Sequence, residues 1–459
     1  MTYLHYIYKV PSSYLRRVVI EYEPVVTIVV RSKKDRDAVL ATLNSHFKQY
    51  HEWWRIEVAT LHGTRELEKA RKILHEMVEV KPWRYYVVLL GKEDGLSGID
   101  EILPDNVVSV TLPRAKVRNC RPSMIFRYFM KALSLIRLRI SWIEDHYVLG
   151  KCLRGTKVPV QPHPLHDMYF AIGQRHVERW SRLLGVEIRA IPLIVKLIHD
   201  VHEVYVGSVR VGSVIIPDVD VSRVLEVCHR VEDVSHVFEK TIEVNRDKME
   251  IHEEIAVHLL RSVAESYDYD RVIVPWSGGK DSTAALVLAL KVFSRDHVVP
   301  IFVDTGVEID EVYKYVNDVA KILGISYEVE YAGIDVEWER RGFELPTHEN
   351  RWCTKLKIAA LYRAIKKVAE RPLIVVGDRD TESLLRLFRP PVRPHGNYVQ
   401  VAPIKFWSTA MVQLYLLQNG VPLNPLYLEG FYRIGCYICP AYRCWELDIA
   451  EEYFKSRSS

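Results

Sequence analysis

The strongest constraint on this chain is a short stretch past its midpoint. Val272-Ile273-Val274, a run of β-branched residues, leads within two residues into Ser277-Gly278-Gly279-Lys280-Asp281-Ser282. Residues 283–293 then carry Ala284, Ala285, Leu286, Leu288, Ala289 and Leu290. A strand, a glycine turn and a helix in that order aim backbone N–H groups and the positive end of a helix at one point, which suits an anion. Gly278 and Gly279 allow positive φ and close approach of the backbone to phosphates. Ser277, Ser282 and Thr283 offer hydroxyls, and Lys280 a cation. Asp281 would repel phosphate, so it makes sense as a group that orients the loop or helps hold Mg²⁺. The Walker loop, Gly-x4-Gly-Lys-Ser/Thr, is a different pattern. Lys280 and Asp281 are expected on an exposed loop, where their loss would leave no cavity in the core.

The same alternation continues. Residues 299–303 read as a second strand, ending in Asp304-Thr305-Gly306. Residues 312–323 read as a helix, 325–329 as a third strand, and 373–376 as a fourth that ends in Gly377-Asp378-Arg379. Polar residues at successive strand ends converge at one edge of a parallel sheet, where ligands bind.

The loop 277–282 resembles the SGGxDS signature of the PP-loop ATP pyrophosphatases, which cleave ATP between the α and β phosphates. Later segments resemble, in order, those of the phosphoadenosine phosphosulfate reductase family. They are Asp304-Thr305-Gly306, Arg351-Trp352-Cys353-x3-Lys357, Gly377-x-Arg379-x2-Glu382-Ser383-x2-Arg386, Pro403-Ile404-x2-Trp407, Pro422-x-Asn424-Pro425-Leu426-Tyr427 and Arg433-Ile434-Gly435-Cys436-x2-Cys439-Pro440. The resemblance covers about residues 270–445. It implies an adenine nucleotide alpha hydrolase-like, doubly wound parallel sheet that binds ATP with Mg²⁺. Lys280, Asp281 and Ser282 are the implied catalytic residues. Ser277, Gly278, Gly279, Thr283, Asp304, Thr305, Gly306, Arg351, Lys357, Gly377, Arg379, Glu382, Ser383 and Arg386 are the implied nucleotide-binding residues. Arg379 and Arg386 suit phosphate or sulfate. The reductases end in Glu-Cys-Gly-Leu-His, which is not found around Glu451-Glu452-Tyr453-Phe454-Lys455, and their phosphate loop is degenerate, whereas this one is intact. Adenylylation of an acceptor with release of pyrophosphate, in sulfur metabolism or sulfur transfer, is the expectation. A tRNA or DNA sulfur-modifying enzyme and a non-hydrolysing nucleotide-binding protein are its rivals.

Cys436-x2-Cys439 with Cys444 and the distant Cys353 resembles the ligand set of reductases that hold a [4Fe–4S] cluster. Trp352 stands where the family has the first cysteine of a pair, and Cys444 could supply the missing thiolate. Four thiolates suit [4Fe–4S] or, as the alternative, Zn²⁺. Buried free cysteines are the plain reading.

At 459 residues the chain exceeds one ordinary core. The expected divisions are a small α/β domain over 1–112, a basic helical segment with a small β-containing module over 113–240, and the catalytic domain over 241–459. Net charge is about +11 over residues 1–200 and about −7 over the remainder. Arg114, Lys116, Arg118, Arg121, Arg127, Lys131, Arg137 and Arg139, with Phe126, Tyr128, Phe129 and Trp142 among them, could face tRNA or another nucleic acid. A helix with one solvated basic face accounts for the same run. Met1-Thr2-Tyr3-Leu4-His5 carries no leader pattern and no stretch reaches membrane-span length, so a cytoplasmic protein without membrane contact is expected.

Overall fold

In the computed structural model, residues 21–47, 53–228 and 234–455 are described; Met1–His5 lie outside them. The chain opens with β1 (Val26–Val30), α1 (Lys33–His46), β2 (Ile56–Thr60), α2 (Leu67–Val80), β3 (Tyr85–Gly91) and β4 (Val107–Leu112). The four strands form a parallel sheet in the order β2-β1-β3-β4. β1 and β3 are buried along their whole length, as expected of central parallel strands covered on both faces.

α3 (Pro122–Leu138) starts with proline in its first turn and carries Arg127, Lys131 and Arg137 of the basic run. The run is less available than its sequence suggests. Arg137 is buried, donates to the Pro164 carbonyl and faces Asp380 at 3.8 Å. Arg139 pairs with Asp100 at 2.8 Å, and Arg118 with Asp35 at 3.3 Å. Arg114, Arg121 and Arg127 are exposed.

β5 (Ile140–Ile143), β6 (His146–Leu149) and β7 (Thr156–Lys157) make a small three-stranded sheet. The next sheet is antiparallel: β8 (Asp167–Phe170), then α4 (Gln174–Leu184), β9 (Leu193–Lys196), β10 (Val201–Val206), β11 (Val209–Ile215) and β12 (Arg223–Val227), in the order β12-β11-β10-β9-β8. Within the expected β-containing module, β10 and β11 form a hairpin with a register shift at Val204/Tyr205. Edge strand β8 is closed by a side chain: Gln413 accepts from the Phe170 N–H and donates to its carbonyl, both at 2.9 Å.

α5 (Phe238–Val244) and α6 (Arg246–Ser266) lead into the third sheet. Its elements are β13 (Arg271–Pro275), α7 (Lys280–Val292), β14 (Val298–Asp304), α8 (Asp310–Leu323), β15 (Glu328–Tyr331), α9 (Ile334–Arg340), α10 (Trp352–Val368), β16 (Pro372–Val375), α11 (Leu384–Phe388), β17 (Val392–His395), β18 (Tyr398–Val401), α12 (Thr409–Gln418), α13 (Pro425–Leu428) and α14 (Cys444–Lys455). The order is β15-β14-β13-β16-β18-β17, parallel except for the β17–β18 pair. This is the mixed α/β, doubly wound sheet expected. Its switch point lies between β13 and β16, so the loops leaving those two strands share one crevice.

One apolar core runs through all three larger sheets, from Val26 through Trp180 and Val274 to Ile449. Trp180 of α4 stacks on Trp445 of α14 at 4.8 Å. No helix among the described residues is long and apolar enough to cross a membrane.

Candidate nucleotide site

β13 ends against Trp276, whose indole N–H donates to Thr283 Oγ1 at 3.0 Å. Gly278 then takes φ +70, and α7 begins at Lys280 with Gly279 as N-cap. Thr283 is fully buried and its hydroxyl donates to the Gly279 carbonyl at 2.9 Å. It fastens the helix start instead of meeting a ligand, contrary to the expectation from sequence. Ser282 Oγ likewise donates to that carbonyl, at 3.0 Å, and accepts from the Ser277 N–H.

A cavity of about 680 Å³ opens at this loop, within the usual range for small-molecule sites. Ser277, Gly279, Lys280, Asp281 and Ser282 line one side. Gly377 at the end of β16 is also on the wall, and the reason for glycine is close approach: a Cβ there would stand 2.5 Å from the backbone carbonyl of Asp281.

The charged side chains of the loop are matched to partners. Lys280 is 4% exposed, so it is not on an exposed loop as expected. Its ammonium lies over the rings of Tyr427 and Tyr432 at 4.9 and 5.2 Å, donates to the Tyr432 carbonyl at 3.2 Å, and pairs with Asp281 at 3.2 Å. Burial works to raise the Asp281 pKa, but Arg379 and Lys280 outweigh it and keep the carboxyl below its ordinary range. Arg379 is the correction of greatest consequence. Its guanidinium is buried and committed: Nε donates to Asp281 at 2.7 Å, Nη1 to Asp167 at 2.8 Å and to Thr381, and Nη2 to Thr409 at 2.9 Å. It is a positioning residue for Asp281, not a free phosphate ligand.

Asp167, at the start of β8, was not singled out in the sequence. It is fully buried and accepts from Arg379, Thr381, the Thr409 N–H and hydroxyl, and Tyr432 O–H. Burial raises its pKa, yet Arg379 and the other donors hold it far below the ordinary value. Asn424 and Tyr427 brace the loop as well: Asn424 Nδ2 donates to the Gly278 carbonyl at 3.3 Å, and the Lys280 N–H donates to Tyr427 Oη at 3.0 Å. The Pro-x-Asn-Pro-Leu-Tyr motif was the signal that could have found both.

Arg351, Lys357, Glu382 and Arg386 face the cavity, as does His348, which accepts from Arg351 at 2.8 Å. Arg386 pairs with Glu382 and with Asp378 at 3.3 Å. Ser383 caps α11 by accepting from the Arg386 N–H at 3.2 Å. Gly278, Thr283, Ser383 and the segment Asp304-Thr305-Gly306 are absent from the lining. That segment is a turn bonded to itself: Asp304 accepts from the Gly306 N–H at 2.9 Å, and Thr305 donates to Glu308 at 3.0 Å. A Cβ on Gly306, at φ +75, would collide with the Asp335 carboxylate. The turn reaches the cavity only indirectly, since Glu308 pairs with Lys357 at 3.4 Å.

Three of the four expected thiols come together. Cys353, Cys436 and Cys439 line the cavity. A hydrogen bond between Cys436 and Cys439 pushes the former thiol up and lowers the latter to about 6, with Lys357 and Arg433 favouring its thiolate. Cys444 does not join them. It starts α14 and lies against Ser222 Oγ at 3.3 Å. A four-thiolate [4Fe–4S] or zinc centre therefore does not fit, and among the described residues no three or more His, Cys, Asp or Glu side chains stand in a metal-holding arrangement.

Residues 271–442 match the model of the phosphoadenosine phosphosulfate reductase domain. Two uncharacterized proteins of Methanocaldococcus jannaschii are 32% and 31% identical over 49% and 52% of this chain, and 47% and 59% of their own lengths. The chain thus spans about half the length of these curated relatives. The adenosine 5'-phosphosulfate reductase of Rhizobium tropici is 32% identical over 25% of this chain and 64% of that protein. Among solved structures, the phosphoadenylyl-sulfate reductase of Candida auris, as a phosphate complex, is 18% identical over 42% of this chain and 96% of its own, with a TM-score of 0.34.

Proposed function

We propose, for a chain whose residues 271–442 belong to the phosphoadenosine phosphosulfate reductase domain family, that it binds ATP on the loop 277–282, releases pyrophosphate and passes the adenylyl group to an acceptor in the same cavity. The observation that carries this reading is the chain of charges Lys280–Asp281–Arg379–Asp167, which fixes the loop and the start of α7 before any ligand arrives. Catalysis by such a site is mainly positioning and charge stabilisation. An acceptor oxygen attacks the α-phosphorus, the bond to the β-phosphate oxygen breaks, and pyrophosphate leaves with the electron pair. Lys280 and the N–H groups at the start of α7 take up the developing charge. The Asp281 carboxylate, 21% exposed on the cavity, is the protein oxygen suited to Mg²⁺, which would neutralise the phosphates when bound.

Sulfur chemistry is the natural continuation, because Cys353, Cys436 and Cys439 open on the same cavity. Since they stand in no metal-holding arrangement among the described residues, the chemistry they offer is that of the Cys439 thiolate itself, a nucleophile. A tRNA or DNA acceptor is the second reading, favoured by the exposed Arg114, Arg121 and Arg127. The test is to supply labelled ATP to anaerobically purified protein and screen small anions, tRNA and DNA for pyrophosphate and AMP formation. Stimulation by one class identifies the acceptor. Tight ATP binding without any pyrophosphate would instead establish a non-hydrolysing nucleotide-binding protein.

A further inference from the structure

The cavity has a wall that the nucleotide loop does not supply. Lys196, the last residue of β9, reaches it from the antiparallel sheet, and Arg433, Arg443 and Glu446 border the same region. The Lys196 ammonium lies over the Tyr432 ring at 4.8 Å, and Lys280 lies over that ring at 5.2 Å. One tyrosine thus separates the cation of the PP-loop from the cation of the middle sheet. The two differ in their partners. Lys280 has Asp281, whereas among the described residues Lys196 has no carboxylate in ion-pair contact. Arg433 is exposed on the same wall. Arg443 is already matched, to Asp200 at 2.7 Å and Asp218 at 3.4 Å. Glu446 is buried, accepts from the Arg443 N–H, and burial pushes its carboxyl up, which reduces its power to neutralise Lys196. Desolvation and the neighbouring Arg443 bring Lys196 itself down to about 8, against the weaker pull of Asp167 and Glu446. A half-buried cation with no carboxylate in contact is costly, and an incoming anion relieves the cost.

We infer that Lys196 and Arg433 form a subsite for a small oxyanion, and that the acceptor of the adenylyl group is such an oxyanion. The inference rests on the reading of the loop 277–282 as an ATP site. It also explains how the acceptor attacks without a general base. The carboxylates that line the cavity are engaged: Asp281 by Arg379 and Lys280, Glu382 by Arg386 and the Arg379 N–H, Asp378 by Arg386, Arg389 and Arg393, Asp218 by Arg443, and Glu446 by the Arg443 N–H. An oxyanion arrives deprotonated. Its oxygen forms the new bond to the α-phosphorus as the α–β bridge breaks, no proton is consumed, and no atom changes oxidation state.

The test is calorimetric, on the full chain saturated with α,β-methylene-ATP so that the PP-loop is occupied. Inorganic sulfate, inorganic phosphate and succinate are titrated separately, the first two standing for tetrahedral oxyanions and the third for carboxylates. Wild type is expected to bind at least one of them, Lys196→Met to bind it at least 10-fold more weakly, and Lys196→Arg to retain most of the affinity. Nucleotide affinity, measured first, is expected to be the same in all three proteins. If nucleotide binds but no anion does, or Lys196→Met binds the anion as wild type does, the subsite is overturned while the ATP reading stands. If nucleotide fails to bind wild type, both fall together. Binding of tRNA to the nucleotide-saturated protein, with none of the three anions bound, would overturn the oxyanion acceptor in favour of a nucleic acid.

Discussion

The parallel sheet β13–β18 and the antiparallel sheet β8–β12 both reach the candidate nucleotide cavity, but they bring charge to it in different states. At the end of the parallel sheet the charges are matched in series: Lys280 with Asp281, Asp281 with Arg379. The antiparallel sheet supplies the far end of that series, Asp167, and separately an ammonium, Lys196, that meets a ring instead of a carboxylate. A matched network holds geometry ready before a ligand arrives, whereas an unmatched cation is a standing cost that an anion can relieve. The lesson is that the second sheet belongs to the site. It fixes the loop from behind and brings a cation to the cavity wall.

The largest effect should come from the loop itself. Lys280→Met and Asp281→Asn should each lower pyrophosphate release by about 100-fold or more, the scale of losing a group that stabilises transition-state charge. Methionine is chosen because Lys280 is buried between aromatic rings. If either variant turned over at the wild-type rate, the division of labour between the sheets would be wrong at its root. Gly377→Ala comes next. Its methyl group must displace the Asp281 backbone, so a stability loss of about 1–3 kcal/mol is expected in chemical denaturation, together with slowed turnover. An unchanged denaturation midpoint would show that the two loops do not need to touch.

Lys196 makes the opposite prediction for stability. Its folded-state value of about 8 lies below the ordinary 10.5, so between these pH values the unfolded chain binds more protons and stability rises with pH. Below about pH 8 the half-buried charge is a cost. Lys196→Met should therefore stabilise the protein by something on the order of 1–3 kcal/mol at pH 7, with the gain vanishing above about pH 10.5. Thermal denaturation across that range checks it, and a loss of stability at pH 7 would count against an unmatched cation. The smallest effect concerns the thiols. Cys439 should alkylate with a midpoint near pH 6, and Cys436→Ala should move that midpoint upward, since the hydrogen-bond donor that lowers it is gone. Cys444→Ser should leave the profile unchanged.

The sequence was readable where the signals are local. β13, β14 and β16 are apolar β-branched runs that end in polar turns, and the loop 277–282 needs no distant partner to be recognised. β2 carries a weak signal, because Ile56–Thr60 is only partly buried and shows little alternation, and β15 lies at Glu328–Tyr331, later than expected, on an exposed edge. The expectation for Cys444 followed spacing alone; the start of α14 at that residue turns its thiol towards Ser222. Asp167 was illegible for a different reason. A lone aspartate between His166 and Met168 gains meaning only from Arg379, 212 residues away. Lys196 had no motif around it either.

Whether the antiparallel sheet positions the nucleotide loop is decided at Asp167. Asp167→Asn keeps the shape and several hydrogen bonds but leaves Arg379 with Asp281 as its remaining close anionic partner. Pyrophosphate release and nucleotide affinity should be measured together, at a temperature where circular dichroism shows the variant folded. The rate should fall about 10-fold or more with little change in nucleotide affinity, as expected when a group that positions the transition state is disturbed. A folded Asp167→Asn protein that releases pyrophosphate at the wild-type rate would contradict that role.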